Sequence, residues 1–99
     1  AGLEIDLTQH RVLADNQPVQ VGPTEFKLLH VLLADPGRVF TRNRLIERAL
    51  GLDYEGVERT LDSHIRNLRR KIEPDPGRPT YIETVFGVGY RLRAKDGEE

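Results

Sequence analysis

Five apolar residues, Val57, Leu61, Ile65, Leu68 and Ile72, recur at three- and four-residue spacing through one uninterrupted stretch. Each helical residue turns about 100°, so the spacing gathers all five on one side and predicts a helix over 57–73 with one buried face. A stripe of that length must be covered, so the remaining chain has to build a core against it. The other side is cationic. Viewed from Arg59, the same geometry puts Ser63, Arg66 and Arg70 within about 40° of it, with Asp62 and Asn67 on the flanks. Residues 59–71 hold Arg59, Arg66, Arg69, Arg70 and Lys71 against Asp62, a local charge of +4 within a total of −1. Like charges at this spacing cost an isolated helix a few tenths of a kcal/mol per pair, so folding alone does not ask for them. Asp62, i+3 from Arg59 and i−4 from Arg66, is placed to offset some of the repulsion. A solvated arginine-rich face is one reading of this pattern, and an electrostatic footprint for a polyanion is the other.

The flanking segments narrow the choice. Leu3–Leu7 alternates apolar and polar, Arg11–Ala14 fits a second strand, and Gln17–Val21 repeats the alternation after an Asp15-Asn16 turn, which predicts a three-stranded meander. Pro23, with Glu25 in the first turn, opens a helix that runs to about Ala34 and is apolar around most of its circumference. Asp35-Pro36-Gly37 stops it. Thr41 caps a short helix, Arg42–Leu50, and Gly51 ends it. After the basic helix a proline-rich connector, 74–79, leads to two strands around Phe86-Gly87-Val88-Gly89, a hairpin with glycines at its tip. Taken alone, that hairpin reads equally well as simple closure of the core. Ninety-nine residues suit one domain, 1–93, with 94–99 as a frayed tail.

An outward Arg/Asn face fits the B-DNA major groove, where Arg donates two bonds to guanine and Asn pairs with adenine. Two helices, a turn and a following hairpin make a winged helix-turn-helix, an α+β architecture. Catalysis has no support: His10, His30 and His64 lack metal-ligand spacing, and no phosphate loop or serine elbow is present. Ser63 and His64 are adjacent on a helix and point about 100° apart, so they cannot form a nucleophile–base pair. No cofactor or metal is expected. The chain has no cysteine and no apolar run long enough to cross a bilayer, which leads to the expectation of a cytoplasmic protein without membrane contact.

Pro23–Leu29, Arg38–Arg42, Arg59–Lys71, and Tyr81–Val85 continuing through Gly87–Arg91 together resemble the OmpR/PhoB family of response-regulator effector domains. The resemblance implies an N-terminal four-stranded sheet, three helices and a C-terminal wing. It further implies a third helix in the major groove, a wing at the adjacent minor groove, tandem binding to direct repeats of double-stranded DNA, and a receiver domain elsewhere in the full-length protein. Carried over by position, Arg59, Arg66 and Arg69 look like phosphate contacts, and Ser63, Asn67 and Arg70 fall where base edges are met. Arg42 resembles a backbone contact, and Thr84, Gly87 and Gly89 belong to the wing. The loop Gly51, Leu52, Asp53, Tyr54, Glu55 and Gly56 corresponds to a contact with RNA polymerase. His64 at the apolar edge is read as packing in preference to a phosphate contact. Two positions depart from the family: Phe86 stands where many members carry Arg in the wing, and Leu50 where a Trp often ends the second helix. An alternative reading keeps the fold as a protein-interaction module without specific DNA binding.

Overall fold

The computed structural model describes residues 2–51 and 58–93, with no side-chain description at 58 and 59. Val57, the side chain of Arg59, the loop residues 52–56 and the tail 94–99 lie outside the described residues.

Three strands, β1 (Leu3–Asp6), β2 (Arg11–Ala14) and β3 (Gln17–Val19), form an antiparallel meander in that order. The β2–β3 turn is two residues long, and both Asp15 and Asn16 take positive φ (53° and 68°), as a type I′ hairpin turn requires. The sheet has three strands among the described residues, not the four the family resemblance implies, and β1 and β3 are shorter than the alternation suggests.

Helix α1 (Pro23–Ala34) begins with its proline at the first helical position, and Glu25 Oε1 accepts from the Gly22 amide at 3.0 Å. Its Phe26, Leu28, Leu29 and Leu32 are buried. Helix α2 (Arg42–Leu50) starts where Thr41 Oγ1 accepts from the Arg44 amide at 3.1 Å, and it ends at Gly51, φ 101°. Helix α3 (Glu58–Ile72) buries Leu61, Ile65, Leu68 and Ile72, and full burial of each such side chain contributes about 1.5–3 kcal/mol. Helix α1 is the central element, packed against α2, α3 and the C-terminal sheet.

That second sheet holds a strand the sequence did not announce. Phe40–Thr41 forms a strand, β4, that pairs with β6 (Gly89–Leu92), which in turn pairs with β5 (Ile82–Val85), giving the order β4-β6-β5. Two residues are too few for periodicity to register. The pairing brings Gly89 against Thr41, and a Cβ at Gly89 would collide with the Phe40 carbonyl oxygen. Gly89 is therefore buried in the strand and does not sit at the hairpin tip. The tip is the turn Val85–Val88, closed by a Val88 N–H to Val85 O bond of 2.9 Å, with Gly87 at φ 79°.

Candidate nucleic-acid interface

Helix α3 presents two strips outside its buried stripe. One is exposed: Ser63, Arg66, Asn67 and Arg70 all face solvent, and neither Arg66 nor Arg70 is in an ion pair among the described residues. The other strip is tied inward. Arg69 is half-buried; its Nη2 donates to Ile82 O and to Thr84 Oγ1, both at 2.8 Å, and its Nε donates to Ile82 O at 3.2 Å. Three bonds from one guanidinium thus fasten the edge strand of the hairpin to the helix.

Asp62 is a second fastening, with bonds across the fold that the sequence expectation did not include. Its Oδ1 accepts from Arg42 Nε at 3.0 Å and from the Tyr90 hydroxyl, so among the described residues its direct partners lie on α2 and β6. The reason is geometric: α2 brings a guanidinium and β6 a phenol within bonding distance of Asp62. Arg66 acts on Asp62 only through its field. Burial alone would raise the Asp62 carboxyl, but the bonds from Tyr90 and Arg42 outweigh it and hold the carboxyl below its usual range. Tyr90 is pushed up to about 12, first by burial and then by the adjacent Asp62 carboxylate. The guanidinium carbons of Arg42 and Arg69 each lie 5.6 Å from the Tyr90 ring centroid, so one ring receives two cations.

Lys71 also leaves the cationic row. Its Nζ reaches Glu25 Oε1 at 2.8 Å, joining the end of α3 to the start of α1. Burial would raise the Glu25 carboxyl, yet the bonds from Lys71 and from the Gly22 amide keep it below its ordinary value. His64 is half-buried and within electrostatic reach of Glu25. The outward row among the described residues is thus Arg66 and Arg70, flanked by Ser63 and Asn67.

Two further connections had no signal in the sequence. Glu73, 6% exposed, accepts from the backbone amides of Thr80, Tyr81 and Ile82 at 2.8, 3.0 and 2.9 Å, which fixes the connector between α3 and the hairpin. Tyr81 donates to Asp15 Oδ1 at 2.7 Å, tying the first residue before β5 to the turn of the N-terminal meander. Nothing in residue type or spacing singles out Glu73 from the other acids; only its chain position, immediately after the last apolar residue of α3, hinted at a helix end.

Between α3, the connector and β6 lies an open cleft of about 520 Å³ lined by Asp62, Arg66, Arg69, Arg70, Pro76, Gly77 and Tyr90. Three guanidiniums face it against one carboxylate that is already shared, so its field is positive and suits an anion. Arg42 and Thr84, two of the other positions singled out by sequence, serve the fastenings around this cleft; Gly87 is exposed at the hairpin tip. Among the described residues no group of His, Asp and Glu is arranged to hold a metal, and no helix is long and apolar enough to cross a membrane.

The comparisons agree with this geometry. The family described as transcriptional regulatory protein, C terminal, matches residues 16–92. The phosphate regulon transcriptional regulatory protein PhoB of Escherichia coli is 44% identical over 94 residues, covering 95% of this chain and 41% of that protein. The sensory transduction protein RegX3 of Mycolicibacterium smegmatis is 43% identical over 90 residues, covering 91% of this chain and 40% of that protein. Among solved structures, the response regulator DrrB of Thermotoga maritima, an OmpR/PhoB homolog, matches with a TM-score of 0.84 at 34% identity, over 95% of this chain and 42% of that one. The DNA-binding domain of the response regulator AdeR, solved in complex with an intercistronic region, matches with a TM-score of 0.81 at 33% identity, over 96% of both chains. The chain thus spans about two fifths of the length of the curated relatives it matches.

Proposed function

We propose, from the premise that this chain belongs to the OmpR/PhoB family of transcriptional-regulator C-terminal domains, that it is the sequence-specific DNA-binding effector of a two-component response regulator. The observation that carries the reading is the exposed row of Arg66 and Arg70 with Ser63 and Asn67, standing on a helix whose opposite side is fully buried. A helix so backed enters a major groove about 12 Å wide without disturbing the core. Arg70, Ser63 and Asn67 meet base edges, Arg59 and Arg66 neutralise phosphates, and the hairpin 81–92 reaches the adjacent minor groove. Arg69, Arg42 and Thr84 hold helix and wing in one register, and any phosphate they meet is met from that fixed position.

The wider setting belongs to the same proposal. The domain works as an arm of a longer cytoplasmic protein with a linked receiver, supported by the share of its relatives' length that it spans. It binds direct repeats in tandem, and the loop 51–56 meets RNA polymerase. It is a binding domain and not an enzyme, as its family is one of transcription regulators.

An anisotropy titration tests this. A duplex selected by the protein from a randomised library should bind about a thousandfold or more tighter than a scrambled duplex of equal length. Equal affinity for both would favour a protein-interaction module carrying the same fold.

A further inference from the structure

Phe86 is 90% exposed, far more than any other large apolar residue among those described; Leu7, Val88 and Val39 follow at 51%, 43% and 38%. A single exposed apolar side chain is ordinary. What distinguishes this one is how it is held. It occupies the second position of the Val85–Val88 turn, at the end of a hairpin fastened to α3 by Arg69 on Ile82 and Thr84 and by Tyr90 on Asp62. Phe86 lies two residues past Thr84–Tyr90, the outermost fastened pair of the hairpin, so its backbone stands about 7 Å beyond that anchor. Its position relative to Arg66 and Arg70 is therefore set by the fold.

The chemistry around the tip selects the occupant. From Thr84 to Tyr90 no residue is charged, and Glu83, the acid on β5, is paired with Arg91 Nε at 2.7 Å. Nothing at the tip repels a polyanion. Phe86 and Val88 together expose far less than the roughly 800 Å² per partner of a stable protein interface. A single ring, however, is the size of the apolar wedges that enter a minor groove and unstack adjacent base pairs.

We propose that Phe86 is such a wedge: it inserts at one base step beneath the wing and makes the domain prefer an easily unstacked pyrimidine–purine step, TA or CA, at that position. This rests on the DNA-binding reading above. It adds a specificity determinant that acts through deformation of the duplex and not through hydrogen bonds to base edges.

The test uses the library-selected duplex with 2-aminopurine scanned in turn through the site. The wild-type protein should brighten the probe at one step on the wing side, and Phe86→Ala should not. Phe86→Ala should also lose about tenfold in affinity with the slope of log K against log salt unchanged, since no phosphate contact is removed. Phe86→Arg should steepen that slope while failing to unstack the step. Because Phe86 is exposed, all three proteins should share one thermal midpoint. If Phe86→Ala binds and unstacks as the wild type does, the wedge is refuted and DNA binding stands. If Phe86→Ala instead keeps its DNA affinity but loses self-association in sedimentation, the ring is a protein contact and the proposal fails. If the wild type discriminates no duplex from another, the underlying reading fails, and the two failures are told apart by which protein shows them.

Discussion

Two strips run side by side along α3, and they treat the same side chain in opposite ways. On one, Arg69 spends its guanidinium on Ile82 and Thr84, and Asp62 gathers Arg42 and Tyr90. On the other, Arg66 and Arg70 stand exposed with no ion pair among the described residues. The difference teaches that a count of cations does not locate a binding surface. The tied strip builds a rigid unit of helix and wing, and the free strip is what that unit offers. Removing charge from each strip should therefore damage different properties.

The largest expected effect is on the free strip. Arg66→Ala combined with Arg70→Ala should weaken binding to the selected duplex by more than the roughly 1–3 kcal/mol expected from the Arg70 base contact alone, with a shallower salt slope from the lost Arg66 phosphate contact. The thermal midpoint should stay within the range of about 0.5 kcal/mol typical of surface changes. A double variant that melts early would show that these arginines brace the fold, and the contrast between the strips would disappear.

The tied strip should respond the other way round. Arg69→Ala removes three hydrogen bonds from a charged donor and should destabilise the domain by about 1.5–3 kcal/mol, read as the shift of the urea midpoint. Affinity for DNA should fall as well, because the wing loses its fixed register. An Arg69→Ala protein as stable as the wild type would remove the bracing role.

How much of this was legible beforehand follows from distance along the chain. The apolar stripe of α3, Pro23 at the start of α1, the Thr41 cap and the Asp15-Asn16 turn are local patterns, and each lies where periodicity and cap chemistry place it. The outward setting of Ser63, Arg66, Asn67 and Arg70 follows from the same 100° step. What escaped are links across the fold: Arg42 to Asp62, twenty residues apart, Lys71 to Glu25, and Tyr81 to Asp15. Helical geometry offered Asp62 the charge of Arg66, which it does feel, and no sequence rule says that α2 and β6 add direct bonds. Strand β4 exists only through its partner β6. Gly89 read as part of the hairpin tip for the same reason, whereas its lack of a side chain is what lets β6 approach Phe40.

A smaller effect sharpens the Asp62 junction. The Asp62 carboxyl titrates below its ordinary value in the folded state, so its stabilisation is complete above the usual carboxylate range and is lost as pH falls through the folded value. Asp62→Asn should cost about 1 kcal/mol near neutrality and flatten the acid limb of stability against pH. At the alkaline end, Tyr90 is raised to about 12, so its contribution is full below about pH 10 and is lost as pH climbs through the folded value. Tyr90→Phe should remove Tyr90's share of that decline between about pH 10 and 12 and leave the share of Tyr81, which burial and Asp15 also raise to about 12, as followed by urea midpoints with tyrosinate absorbance as the titration signal. The smallest change belongs to the free strip again: Ser63→Ala should leave stability within about 0.5 kcal/mol while altering which base is preferred opposite it.

The most direct test of the exposed arginine row is the salt dependence of DNA affinity for the wild type beside Arg66→Ala. If Arg66 neutralises a phosphate, wild-type log K falls steeply with log salt, and the variant's slope is shallower by about 0.9 with an equal loss on selected and scrambled duplexes. A nearly flat wild-type response, or identical slopes for the two proteins, would contradict it.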